Sequence, residues 1–222
     1  WVAAFWRWYR DGLLEPAPHT PAPWGRIFAS SNLWALFWMY FCSAYGFYFY
    51  VTWMPTFLMK EHGLSLQRSG FYSTLPLAAG AVGCLAGGAF SDWLVRRTGN
   101  LKWARRAIGM GGFALAAIGF GAAAASQSPL AAVLCLAFAS GAHDVTLPVS
   151  WATVTEVGGP FGGTTSAFMN MASSISAMLS ATSAAWLAAT FGTFHVMLAA
   201  AAVAYLLGAV IWLRIDPTRV LR

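Results

Sequence analysis

Long apolar runs alternate with short polar stretches along most of this chain. The runs cover residues 31–58, 70–92, 105–125, 129–154, 163–189 and 193–214. Each has about the twenty residues that a helix needs to cross a hydrocarbon core of roughly 30 Å. None shows the period-two alternation of a membrane barrel strand. The pattern predicts an all-α membrane protein, with a six-transmembrane-helix bundle over 31–215 and a short tail at 216–222. Residues 1–10 carry a further apolar run that is too short to span, and its charges follow the run, unlike those of a signal peptide. It is expected to be the end of a preceding transmembrane helix, which would make the chain a fragment, consistent with its start at Trp1. Residues 11–30 hold Pro16, Pro18, Pro21 and Pro23 and are expected to form a solvated loop without helix.

Composition changes the picture in one respect: it identifies the solvent. The chain is 59% hydrophobic and 9% charged, with mean hydropathy +0.60. A soluble domain carries roughly 25% charged residues, so lipid is expected to cover this surface. The pI near 9.6 then reports membrane orientation and not nucleic-acid binding. If residues 11–30 are cytoplasmic, that side holds Arg7, Arg10, Arg26, Arg96, Arg97, Lys102, Arg105, Arg106, Arg214, Arg219 and Arg222. The outer side holds Lys60 and Arg68, and the two sets account for all 13 basic residues. Both termini are therefore expected in the cytoplasm, which requires an even number of spans. Cys42, Cys84 and Cys135 lie in separate apolar runs, so neither a disulfide framework nor a metal site is expected, and no cofactor.

Small residues mark expected helix contacts. Gly83-x-x-x-Gly87 and Ala117-x-x-x-Gly121 would let backbones approach closely, and Ser173, Ser174, Ser176, Ser180, Thr182 and Ser183 can hydrogen-bond between helices. The second, third and fifth spans are expected to pack inside a bundle. The first is aromatic, from Trp34 to Tyr50, and part of it is expected to meet lipid or the interface.

Asp144 is the acidic residue nearest the middle of a span, beside His143. An intramembrane acid is costly unless paired or protonated, and burial raises its pKa toward a working range. Two roles stay open for Asp144: a proton-coupling group, or a structural carboxylate bonded to His143, a serine or water. His143 is either a second coupling group or a packing histidine. Asp144, Pro148, Trp151 and Thr155 recur at spacings that put them on one helix face. Pro148 is expected to free a carbonyl and bend the helix, as at a cavity wall. Trp151 would close a cavity or sit at the interface. Asn170 and Ser174, one turn apart, could bind a hydroxylated substrate or another helix, and Tyr48 and Thr52 share a face of the first span.

Gly88-Ala-Phe-Ser-Asp92-Trp-Leu-Val-Arg96-Arg97 reads G-x-x-x-D-x-x-x-R-R and follows the second full span. It resembles the cytoplasmic loop signature of the major facilitator superfamily, which occurs between the second and third spans of each half. Thr52-Trp-Met-Pro-Thr-Phe-Leu58, Leu147-Pro-Val-Ser-Trp-Ala152 and Gly163-Thr-Thr-Ser-Ala-Phe-Met-Asn-Met171 resemble its anion:cation symporter family. So does the opening run that ends Phe5-Trp-Arg-Trp-Tyr-Arg-Asp11. Ser174 stands where that family usually has a second asparagine, and Ala181 where it usually has proline.

The resemblance implies the C-terminal half of a twelve-helix transporter, with 11–30 as the loop between halves. It would move a small organic anion, such as a sugar acid, with protons through a bacterial inner membrane. Its other half would supply an arginine as counter-charge. Candidate substrate contacts are Tyr45, Tyr48, Thr52, Trp151, Asn170 and Ser174. Gly88, Asp92, Arg96 and Arg97 would form a gating loop, with Asp92 facing a helix of the other half; otherwise Asp92 pairs with Arg96 or Arg97. Two alternatives remain at this stage. One is a carrier or efflux pump for a neutral or cationic solute. The other is a polytopic membrane enzyme, which would need a cluster of His, Asp or Glu at one membrane face.

Overall fold

The computed structural model describes residues 21–221, so the expectations for residues 1–20 and Arg222 lie outside it. All regular structure among the described residues is helical: α1 Trp24–Ala29, α2 Ser31–Thr52, α3 Met54–His62, α4 Leu66–Thr98 and α5 Leu101–Ala125. Then follow α6 Pro129–Asp144, α7 Leu147–Gly158, a 3-10 turn Gly159–Phe161, α8 Gly162–Phe191 and α9 His195–Trp212. Among the described residues, four helical segments are long and apolar enough to cross a membrane: Leu66–Thr98, Leu101–Ala125, Pro129–Phe191 and His195–Trp212. The third is 63 residues long and contains α6, α7 and α8. α2 has 22 residues and no charge, but its Trp and Tyr content keeps it below these four in hydropathy.

Local chemistry explains where the helices start and stop. Ser30, Ser65 and Asn100 cap α2, α4 and α5, each accepting from a backbone N–H three residues on. Gly63, Gly99 and Gly192 end α3, α4 and α8 in the left-handed conformation that glycine adopts without strain. Two expectations need correction. Residues 24–29 are helical, with Pro23 as the N-cap whose carbonyl accepts from the Arg26 and Ile27 N–H groups. The first apolar run is two helices, broken at Trp53 with Pro55 in the first turn of α3.

α5 packs on α9 and α6, α4 on α6, and α2 on α8 and α9, while α7 leans on α8. α4 and α8 thus stand at the two flanks. Gly80, Gly83 and Gly87 form one stripe of α4, and a Cβ at Gly83 or Gly87 would overlap the carbonyl oxygen of Gly141 or Val145. Ser176 and Ser180 of α8 donate to the carbonyls of Phe41 and Tyr45 at 2.7 and 2.9 Å. The small residues of the second and fifth spans serve one side each. Their other sides expose Phe71, Val82 and Leu85 on α4 and Met178, Leu179 and Trp186 on α8, so these two helices are not enclosed by the described residues. α5 is packed as expected, but through Gly112 and Gly119 against α6 and Gly109 against Trp212; Gly121 faces open space. Among the α2 aromatics Phe37, Tyr40, Phe49 and Tyr50 are buried, Trp34, Phe41, Tyr45, Phe47 and Tyr48 are half-buried, and Trp38 is exposed.

The ends of the bundle are tied by polar clasps. Asn32 exchanges two hydrogen bonds with the Asp216 backbone, 2.8 and 2.9 Å, and Lys102 pairs with the Asp216 carboxylate at 2.7 Å. Arg106 donates to the Ile215 carbonyl, and the tail ends with Leu221 N–H bonded to Val157 O at 2.7 Å. At the opposite end Glu61 accepts from Phe194 N–H before α9.

Two stability predictions follow from these contacts. Gly83→Ala should cost about 1–3 kcal/mol, because the added methyl meets backbone and neither helix can yield, whereas Gly121→Ala should stay within about 0.5 kcal/mol. Thermal unfolding of both variants in detergent tests the contrast. Asp216 titrates in a pH window set by its clasp. Burial raises its carboxyl, but hydrogen bonds from Lys102 and Thr218 outweigh that and hold it at about 2, below the usual 3.8. Its stabilisation is therefore complete above the usual carboxylate value and is lost as pH falls toward 2. Asp216→Asn should unfold at lower temperature than wild type at neutral pH, with the gap closing only in that acid window.

Candidate functional site

The site is built where α6 stops. Pro148 has no N–H to give the carbonyl four residues back, that of Asp144, so the helix cannot run through. The chain turns at Val145–Thr146, and both the N–H and the hydroxyl of Thr146 donate to the His143 carbonyl, at 2.8 and 2.7 Å. This break sets the directions of two adjacent side chains. His143 points into the bundle, 1% exposed, with its ring 5.3 Å from that of Tyr205 and 6.0 Å from Phe113. Its Nε2 is 2.6 Å from Ser43 Oγ on α2. Its Nδ1 is 2.7 Å from Asp144 Oδ1, a close charge contact whose angle is too bent for a regular hydrogen bond. Asp144 turns toward α4, where only a glycine at position 80 leaves space for its carboxylate. It is 8% exposed.

In front of His143 lies a cavity of about 160 Å³, lined by Tyr40, Ser43, Tyr48, His143, Leu147 and Ser173. Four helices meet there: α2, α6, α7 and α8. Trp151 stands beside it, edge-on to Tyr40 at 6.0 Å and 38% exposed.

Of the residues expected from the sequence, Tyr48 and His143 line this cavity, and Asp144 backs His143. Tyr45 is turned away: its hydroxyl meets Ser183 Oγ at 2.8 Å and Met197 Sδ at 3.5 Å, in the contact between α2, α8 and α9. Thr52 is exposed at the end of α2, and Asn170 and Ser174 are exposed on α8. From that stretch it is Ser173 that reaches the cavity. Of the residues expected on one face, Asp144 and Pro148 both turn toward α4, at Gly80 and Gly88, and Trp151 lies against Tyr40 of α2. Ser43, Tyr40 and Ser173 are additions. Tyr40, Ser43, Phe47 and Tyr48 recur at helical spacing, so the face of α2 that carries Tyr48 also carries Ser43.

The charged signature is helix and not loop. α4 continues to Thr98, and Gly88, Asp92, Arg96 and Arg97 occupy its last three turns; the connection to α5 is Gly99–Asn100. The turn residues Gly99 and Asn100 lie later than the apolar run suggests because the amphipathic end of α4 extends past its apolar part. Asp92 is exposed, and no ion pair among the described residues includes it, so the pairing with Arg96 or Arg97 is not formed. Arg97 instead sits over the Trp93 ring at 5.9 Å. Ser91 is buried and accepts from Arg105 at 2.5 Å, and Arg105 pairs with Glu156 at 2.7 Å. Arg105 is thus a buried cation inside α5, tying α4, α5 and α7 together. The sequence reading placed it at a boundary, because the apolar run begins only there. Among the described residues, no group of three His, Cys, Asp or Glu side chains is placed to hold a metal ion.

Long apolar helices packed around a small cavity at a helix break define a polytopic membrane protein. Residues 1–181 match the family model of the Major Facilitator Superfamily, and the chain belongs to that superfamily. It is 30% identical over 172 residues to the probable sulfoacetate transporter SauU of Cupriavidus necator, covering 78% of this chain and 40% of that protein. A shorter match, 44% over 59 residues, links it to the probable galactarate/D-glucarate transporter GudP of Escherichia coli, with 27% of this chain and 13% of that protein. The probable anion transporter 1 of Oryza sativa chloroplasts is 27% identical, over 88% of this chain and 37% of its own. The chain therefore spans well under half the length of these relatives, each of which is named a transporter. The fold is similar to that of the peptide transporter POT, with TM-score 0.64 at 18% identity, over 82% of this chain and 37% of that one.

The geometry separates two tyrosines that look alike in sequence. Tyr45→Phe removes a hydrogen bond between helices and should lower stability by about 1 kcal/mol. Tyr48→Phe should leave stability within about 0.5 kcal/mol, since its change falls on the cavity. Unfolding midpoints of the two variants measured side by side decide it.

Proposed function

We propose that this chain is the C-terminal six-helix half of a twelve-helix secondary transporter. It carries a small organic anion with protons across a bacterial inner membrane by alternating access, and both of its termini are cytoplasmic. The observation that carries the reading is the cavity at the helix break, which places His143, Ser43 and Tyr48 around one space between four helices. Broken helices with polar groups at that depth are how such transporters build a binding site. The relatives' names support an anion: sulfoacetate, galactarate, D-glucarate.

In this reading Pro129–Phe191 is two spans, and α2 is a span despite its aromatic content. Substrate lies against Tyr48, with Trp151 as a flap at the cavity rim. Asn170 and Ser174, exposed on α8, face the partner half. The exposed faces of α4 and α8 meet that half too, which encloses them. Tyr45 and Thr52 act on the site only through helix packing. The His143–Asp144 pair holds the coupling proton. It supplies no permanent cation, so the counter-charge for an anion comes from the other half. Asp92, free at the end of α4, reaches a helix N-terminus of that half and steadies one closed state.

The test is uptake of labelled D-glucarate and sulfoacetate by proteoliposomes of the full-length protein under an acid pulse. Asp144→Asn keeps size and hydrogen bonding but does not titrate. It should abolish acid-driven accumulation while counterflow exchange survives. Accumulation at the wild-type level would make Asp144 structural and move coupling to the other half. Asp92→Asn should slow turnover and leave the KM unchanged; a large loss of affinity would place Asp92 in the site instead.

A further inference from the structure

We infer that Ser43 is the residue through which protonation of His143 is converted into anion binding, by reversal of the Ser43–His143 hydrogen bond. The inference rests on the reading of the cavity as an anion site, and it adds a residue and a direction to it.

The argument starts from lone pairs. Asp144 Oδ1 and His143 Nδ1 are 2.7 Å apart, too close for two bare lone pairs, so one of the two atoms carries a proton although the contact is too bent for a regular hydrogen bond. With an ionised carboxylate, Nδ1 carries it, and Nε2 presents a lone pair. Nε2 is 2.6 Å from Ser43 Oγ, so the serine hydroxyl donates to it. In this state the pair bears one net negative charge, and the hydroxyl that borders the cavity has its only proton turned inward. The cavity wall then offers an anion repulsion and no donor from Ser43.

One proton changes both. It binds at Nε2, the imidazolium and the Asp144 carboxylate cancel, and the new Nε2–H donates to Ser43 Oγ. Ser43 can no longer donate to the ring, so its O–H must find another acceptor. Within α2 that acceptor is the carbonyl one turn back. Within the cavity it is an oxygen of a bound carboxylate or sulfonate, which accepts a stronger, charge-assisted hydrogen bond. Proton and anion therefore favour each other's binding, as symport requires.

The surroundings leave this exchange to His143. The charged group in contact with it is Asp144, on its own helix. From α2 it faces Ser43, with Tyr40 and Tyr48 around the same cavity; α8 contributes Ser173 and α7 Leu147. From α5 and α9 it meets the rings of Phe113 and Tyr205. α4 meets the pair through Gly80.

The experiment measures binding of labelled D-glucarate and sulfoacetate to the full-length protein in lipid nanodiscs across mildly acidic to mildly alkaline pH. Wild type should bind about tenfold more tightly at about pH 5.5 than at about pH 8. Ser43→Ala should shrink that pH dependence to the part that charge cancellation alone supplies, and Ser43→Thr, which keeps the hydroxyl, should restore it. A Ser43→Ala protein that folds and keeps the wild-type pH profile overturns the inference. If neither anion binds wild type at any pH, the substrate reading fails, and the relay is decided separately by ¹⁵N-histidine NMR of the ligand-free protein. There the His143 Nε2 signal should shift in Ser43→Ala; an unmoved signal overturns the relay itself.

Discussion

A backbone carbonyl at membrane depth with no helical amide to receive is the constraint around which this bundle is built. Pro148 creates it at Asp144, and beside it Val145 and Thr146 keep right-handed helical angles while the hydrogen-bond ladder tightens to Thr146 N–H on the His143 carbonyl. Lipid cannot hydrogen-bond such groups, so irregular backbone survives only where protein or a cavity surrounds it. Both solutions are present. The stripe Gly80, Gly83, Gly87 brings α4 so close that Ser140, Gly141 and Asp144 at the end of α6, and Val145 after it, lie against glycine backbone. On the other side Thr146 returns to the His143 carbonyl, and the cavity opens. The glycines, the proline and the buried acid are thus one device: loss of the glycine stripe would expose to lipid the backbone that the proline has freed.

The same break explains how two adjacent ionisable residues divide one task. On a continuous helix successive side chains diverge by about a quarter turn or more. Here His143 is held by aromatic rings and Ser43, and Asp144 by the room that Gly80 leaves. Each is fixed by a different helix, yet their charged atoms remain 2.7 Å apart. Burying a lone carboxylate would cost several kcal/mol, and the neighbouring imidazole offsets that cost in whichever protonation state leaves the pair neutral. The chain thereby keeps an acid and an imidazole side by side inside an otherwise apolar core. The permanent ions lie at the ends, in the Asn32–Lys102–Asp216 clasp and the Ser91–Arg105–Glu156 tie, where water reaches at least one partner.

Much of the architecture was legible because lipid imposes a coarse rule on sequence. Helix, membrane and family follow from apolar run length, basic-residue placement and the Gly88 to Arg97 signature. What the rule does not carry is direction. The Gly83–Gly87 pair was legible as a close contact, but Gly121 was not distinguishable from Gly119, because small-residue spacing does not say which face is covered. Tyr45 and Tyr48 are three residues apart on one aromatic helix, and only the position of α8 and α9 decides that one is glue and the other cavity. Helix ends were misplaced wherever polar residues extend a helix past its apolar part, as at Arg96, Arg97 and Arg105. Ser43 was invisible because a serine in an aromatic span has no signal until the histidine opposite it is known.

Charge accounting also limits what this chain can recognise by itself. The cavity and the residues behind it hold His143, tyrosines and Asp144, and no lysine or arginine lines it. A dianion such as a sugar diacid needs more than that. Desolvating two carboxylates against hydroxyls and one neutral pair leaves at least one charge uncompensated, at a cost of several kcal/mol. Hydroxyl and ring groups from α2 and α8 are suited to reading the uncharged body of a ligand. In the proposed reading they set its orientation and length, and a guanidinium or ammonium of the proposed other half holds its charge. Two relatives named for chemically different anions, sulfoacetate and glucarate, are compatible with one such face. A surface of tyrosine and serine reads shape and hydrogen bonding and is indifferent to whether the charged end is a sulfonate or a carboxylate.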